Sequence, residues 1–152
     1  MTLFLEANKI DQAERRTALA EGSPGQAISL DLEAYDRRRT AMLALLRVAG
    51  GVDPFGAWMK HSDSVAARRT EKLESYLEVL YILLGDVVRL TNGVSAIRNP
   101  DLRAELETLA KRVSFDWQRK TLERIDELVD LARRNIQKSI AFDAFAVALR
   151  NS

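Results

Sequence analysis

Apolar residues recur at intervals of three and four along almost the whole chain, and the strict alternation that marks half-buried strands is lacking. The punctuation between the apolar stretches is also helical. Gly22 before Ser23-Pro24 reads as a helix end, then an N-cap with proline in the first turn. Asp53-Pro54 and Asn99-Pro100-Asp101 repeat that cap-then-proline signature. Ser62 and Ser64 compete as caps for the helix that follows them, and Ser114 with Asp116 caps another. Between these marks helices are expected over 3–21, 24–30, 33–49, 54–60, 65–91, 100–112, 115–134 and 139–150. The division near Leu30–Leu32 has the weakest basis, because nothing there forbids a continuous helix. The pattern predicts an all-α helical bundle.

Two of these helices matter most. The 65–91 segment would be roughly 40 Å long at 1.5 Å per residue. Its stripe Leu73, Leu77, Leu80, Leu84 and Val87 is flanked by Tyr76, Tyr81, Leu83 and Val88. That width predicts burial against more than one neighbour and marks the central element. The 115–134 helix carries two apolar arcs. Phe115, Leu122, Ile125, Val129 and Ala132 form the expected core face; Trp117, Leu128 and Leu131 fall on an adjoining flank. Trp117, Leu128 and Leu131 are therefore a candidate partner interface, tryptophan being enriched at binding hot spots. The alternative is a tryptophan covering the edge of its own core.

Composition narrows the function. The 152 residues, 47% of them hydrophobic, suffice for one domain or a domain with a piece of a second. A chain of this size buries about 70% of its unfolded surface, so its core needs no staple. No cysteine is present to supply one, which fits a reducing compartment. With a single histidine and no cysteine, a zinc site would have to rest on carboxylates, which is uncommon. No metal, cofactor or small-molecule ligand is expected. Basic and acidic residues balance at 23 against 22, whereas a dedicated nucleic-acid-binding domain shows a basic excess. Direct nucleic-acid contact is not expected of the surface as a whole. The apolar stretch Leu77–Leu90 is interrupted by Glu78, Asp86 and Arg89, too short and too charged to span a bilayer. No basic-then-apolar leader opens the chain, so the cytoplasm is the expected location.

Catalytic motifs do not survive inspection. The hexamer Gly22–Ala27 has no lysine and cannot be a phosphate-binding P-loop. Gly50-Gly51 sits where a helix-ending turn explains it. His61, Ser62 and Asp63 are adjacent in sequence, whereas catalytic triads are assembled in space; a helix-terminal histidine followed by a capping residue is the better account. The basic clusters Arg15-Arg16, Arg37–Arg39, Arg68-Arg69 and Arg133-Arg134 have Glu14, Asp36, Glu71 and Asp130 beside them, as in a solvated helix face. Partner or DNA contact is the competing reading, with Arg37, Arg38 and Arg39 its best candidates because they are densest. An enzyme is not expected.

The order of segments resembles a known family. Ala18-Leu-Ala-Glu-Gly-Ser-Pro-Gly-Gln-Ala27, then Leu77–Leu90, then Asn99-Pro-Asp-Leu-Arg-Ala-Glu-Leu106, then Ala132-Arg-Arg-Asn-Ile-Gln-Lys-Ser-Ile-Ala-Phe-Asp-Ala-Phe145 are similar to the C-terminal region of delta-prime subunits of bacterial DNA polymerase III clamp loaders. The resemblance implies a remnant of an AAA+ lid domain over 1–30, then a helical collar domain over 31–152 that assembles with the gamma/tau and delta subunits. It also implies an all-α collar-type bundle with no catalytic site in this part of the subunit. The chain would then begin in the middle of a larger architecture, consistent with how few large apolar residues follow Ile10 in its first helix. The corresponding region of gamma/tau is the nearest alternative. It is disfavoured because Gly25, followed by Gln26, stands where ATP-hydrolysing relatives carry a nucleotide-sensing arginine.

Overall fold

The computed structural model describes residues 32–151. The helices expected over 3–21 and 24–30, the junction at Gly25 and Gln26, and the lid remnant over 1–30 lie outside the described residues. From Leu32 onward the chain forms six α-helices: α1 (Leu32–Ala49), α2 (Phe55–Ala67), α3 (Leu73–Thr91), α4 (Arg103–Arg112), α5 (Phe115–Ala132) and α6 (Lys138–Arg150). A single 3-10 turn, Pro100–Leu102, leads into α4. Among the described residues there is no strand, and no helix is long and apolar enough to cross a membrane.

α3 is the central helix, as its wide stripe predicts. It buries Leu73, Tyr76, Leu77, Leu80, Leu83, Leu84 and Val87 and packs against α1, α4 and α5. α6 closes the other side, against α1, α2 and α5. Phe142 of α6 is fully buried, and both Trp58 of α2 and Tyr76 of α3 meet its ring edge-on, with centroids 5.9 and 6.0 Å away. That arrangement suits the aromatic quadrupole and ties three helices to one side chain.

The break expected between the 54–60 and 65–91 helices falls later than predicted. α2 runs on to Ala67 and the chain leaves the helix over 68–72 before α3 begins. Ser62 and Ser64 therefore lie inside α2 rather than capping the helix after it, whose cap position is Lys72. Ser62 is buried and its hydroxyl donates to Asp143 of α6 at 3.2 Å. His61 is mid-helical, not C-terminal. Residues 68–72 hold no glycine or proline, so nothing local announces the break. Its cause is tertiary: Lys138 of α6 donates to the carbonyls of Arg68 and Glu71, acceptors that a continuous helix would use internally.

Glycine is required where α1 ends. A Cβ on Gly50 would stand 2.5 Å from Leu109 Cδ1 of α4, and Gly51 has φ +77, so the two together admit the turn and the close approach of α4. Asn135, with φ +59, makes the reversal between α5 and α6, a conformation that asparagine tolerates better than most residues.

Candidate assembly interface

α5 is turned differently from its hydrophobic pattern. Its buried positions are Trp117, Gln118, Thr121, Ile125 and Leu128. Phe115, Leu122 and Val129, expected in the core, are 71%, 40% and 39% exposed. Trp117 and Leu128, expected as a partner surface, are only 7% and 6% exposed. The indole N–H of Trp117 donates to the carbonyl of Ala49 at 3.1 Å, satisfying an acceptor that the end of α1 would otherwise leave orphaned. Leu131 is half-buried and lines a groove of about 220 Å3 between α5 and α6, with Ile136 and Ile140. Of the three predicted interface residues, Trp117 and Leu128 are thus core, and only Leu131 reaches a surface.

The physical reason is two polar residues that the core accepts. Gln118 donates through Nε2 to Thr91 Oγ1 of α3 at 2.8 Å, and the Thr121 hydroxyl donates to the carbonyl of Trp117 at 2.7 Å. With Gln118 and Thr121 facing inward, the apolar residues on the opposite flank face outward. Phe115, Leu122 and Val129, seven residues apart, form a straight stripe along the outside of α5. Leu122 joins a groove of about 390 Å3 with Tyr81, Ile82, Gly85 and Val88 of α3, and Arg89 and Arg98 stand at its edge. Tyr81 is 58% exposed. Gly85 is notable in the middle of a helix, where glycine costs about 0.5–1 kcal/mol relative to alanine. A Cβ there would meet only the tip of the Arg89 side chain, at 3.5 Å. Packing within the chain does not explain this glycine; it does deepen the groove.

The arginine cluster is engaged internally. Arg37 pairs with Glu71 at 2.8 Å, Arg38 lies 3.8 Å from the same carboxylate, and Arg39 reaches Asp101 at 2.9 Å and Asp36 at 3.5 Å. Around Glu71, burial pushes the carboxyl pKa up, but hydrogen bonds from the Tyr76 hydroxyl and the Arg37 guanidinium outweigh it and hold the group below the usual glutamate value. Burial, reinforced by that same hydrogen bond to Glu71, pushes the Tyr76 phenol up.

Sequence reasoning passed over Asp86. Its side chain is wholly buried on α3 and accepts from the backbone N–H groups of Arg98 (2.8 Å) and Asn99 (2.9 Å), and from the Asn99 amide at 3.1 Å. Asn99 in turn accepts from the Tyr35 hydroxyl at 3.0 Å and from Arg39 at 3.3 Å. Burial raises the pKa of the Tyr35 phenol. The connection between α3 and α4 is thereby fastened to α1. An aspartate alone in the run Leu83-Leu84-Gly85-Asp86-Val87-Val88 was the available signal.

Among the described residues no three histidine or carboxylate side chains are placed to hold a metal ion. The hydroxyl of Ser62 is directed at Asp143, which also accepts from the Trp58 indole at 2.6 Å. No protein-family model, curated protein or solved structure matches the chain.

Proposed function

We propose that the chain is the lid end and collar of a delta-prime-type clamp-loader subunit, a scaffold that holds the loader together with the gamma/tau and delta subunits. The observation that carries an assembly role is the apolar seam of Phe115, Leu122 and Val129, continued across the groove at Gly85 to Tyr81. Contiguous exposed apolar surface of this kind marks protein–protein contact. The groove is rimmed by arginines, and aromatic, aliphatic and arginine side chains are the usual composition of an interface. The segments that resemble the delta-prime family supply the choice of partner. Leu77–Leu90 carries the α3 side of the seam, and 132–145 carries the α5–α6 turn. The reading assigns this region cohesion, not ATP chemistry, and places it in the cytoplasm with the replication machinery.

The test is capture of loader subunits. The full chain, immobilised, is expected to retain gamma/tau or delta from a reconstituted mixture, and Tyr81→Lys with Leu122→Glu is expected to lower retention at least on the order of tenfold. Helical circular dichroism and melting should stay as in the parent chain, since both residues are exposed. Failure of the unaltered, folded chain to retain any loader subunit would sink the clamp-loader reading. Equal retention by the double variant would sink the seam alone.

A further inference from the structure

The exposed stripe of α5 is laid out alike from either end. Phe115 and Val129 lie at equal distances before and after Leu122, and all three are exposed. At about 100° per residue, Arg119 and Asp126 are the charged residues of the helix nearest the stripe, both on its outer side. Both are exposed. Arg119 precedes Leu122 by one turn and Asp126 follows it by one turn, about 4.5 and 6 Å away along the axis at 1.5 Å per residue. They occupy nearly mirrored positions about Leu122, and their charges are opposite.

Arg119 pairs within its own helix with Asp116 at 2.6 Å and with Glu123 at 2.9 Å. Those two acids lie further round the helix from the stripe than Arg119 does. Asp126 enters no ion pair among the described residues.

We propose that the stripe is an isologous contact between two copies of this chain, with their α5 helices antiparallel and meeting at Leu122. Across a two-fold axis the same patch serves both copies, so every contact between unlike residues is made twice. Leu122 meets Leu122, and Phe115 of each copy covers Val129 of the other, a large side chain against a small one. Each Arg119 comes beside the Asp126 of the other copy, a carboxylate that its own chain leaves unpaired. A parallel pair would set Arg119 against Arg119 and Asp126 against Asp126, so charge selects the antiparallel direction. A foreign partner would place no such symmetry on the stripe. The inference rests on the reading of this seam as an assembly surface, not on the choice of loader subunits. A second copy holds the seam where no other partner does.

The test is sedimentation velocity of the full chain over a range of concentrations. The parent should pass reversibly from monomer to dimer within the micromolar range. Leu122→Glu, which sets two carboxylates together on the two-fold axis, should remain monomeric. Arg119→Glu and Asp126→Arg should each weaken the dimer on the order of tenfold, since each turns two attractive contacts into two repulsive ones. An equimolar mixture of those two variants should associate nearly as the parent does, because a mixed pair again sets opposite charges face to face. That recovery also shows both variants to be folded. In dilute solution, where the pairs have dissociated, every variant should melt as the parent does. A parent that stays monomeric throughout the micromolar range overturns the proposal. So does a dimer that survives Leu122→Glu, or a mixture that associates no better than its components. Retention of loader subunits by a chain that stays monomeric would sink the second copy alone and leave the assembly role of the seam standing.

Discussion

Asp86 and Glu71 lie fifteen positions apart, each a carboxylate with arginines around it, and the fold uses them in opposite ways. Asp86 is wholly buried and takes its closest hydrogen bonds from two backbone N–H groups and an amide, with Arg89 more distant at 3.3 Å. Its donors come from the α3–α4 connection, so the bonds fix a chain path. Glu71 sits in a connection at the surface, and its donors are the ends of long side chains from α1 and the hydroxyl of Tyr76. Its bonds fix no path; they hold cations close together. Burying a carboxylate is costly unless it is fully hydrogen-bonded, so the first arrangement admits no spare partners. Glu71, its side chain 11% exposed, is served by the ends of side chains from α1 and by Tyr76 rather than by backbone.

The sharpest way to break that comparison is at Asp86. Asp86→Ala leaves the N–H groups of Arg98 and Asn99 and the Asn99 amide without their acceptor. It should cost about 3–5 kcal/mol, as for removal of one member of a buried ionic network. Urea unfolding of the variant measures it. A loss below about 1 kcal/mol would mean that water replaces the carboxylate and that the network does not fasten the α3–α4 connection.

The two flanks of α5 repeat the contrast with neutral side chains. Trp117→Phe keeps most of the buried ring and removes the hydrogen bond to Ala49, which should cost about 1–3 kcal/mol because the carbonyl is left buried and unpaired. Leu122→Ser, on the exposed stripe, should stay within about 0.5 kcal/mol of the parent. Thermal melts of the two variants distinguish them. If Leu122→Ser proved the more damaging, the orientation of α5 would be the one that its hydrophobic pattern suggests.

That pattern was enough for the class of fold and for most helix limits. The wide stripe of α3 and the cap at Ser114 announce helices, because period and capping are local physics, whereas the Asn99 side chain makes no cap bond and meets Tyr35, Arg39 and Asp86 instead. Two features escaped it for one reason. The break over 68–72 depends on Lys138 taking the carbonyls of Arg68 and Glu71, and the rotation of α5 depends on Thr91 receiving Gln118. Both partners are distant in sequence, and a polar side chain that finds a partner across the bundle, as Gln118 does through Nε2 alone, reads locally as one that belongs outside. The candidate site suffered most. Trp117 and Leu128 looked like spare apolar residues only because Gln118 and Thr121 looked unsuited to a core. Likewise Arg37–Arg39 read as a solvated face, because their partners Glu71 and Asp101 lie on distant connections.

Glu71 offers the gentlest test. Glu71→Gln keeps the shape, removes the charge and should cost about 1 kcal/mol at neutral pH, within the range of partly exposed ion pairs. The folded pKa of Glu71 lies below its unfolded value, so its ionised form contributes stability above the unfolded pKa. That contribution is lost as pH falls through the folded pKa. The difference between parent and variant should therefore be flat from neutral pH down to about 5 and shrink below about 4.3, the ordinary glutamate value. Denaturation at a series of pH values follows it. A difference that did not shrink in that range would mean that the charge of Glu71 is not what ties Arg37 and Arg38 to the α2–α3 connection.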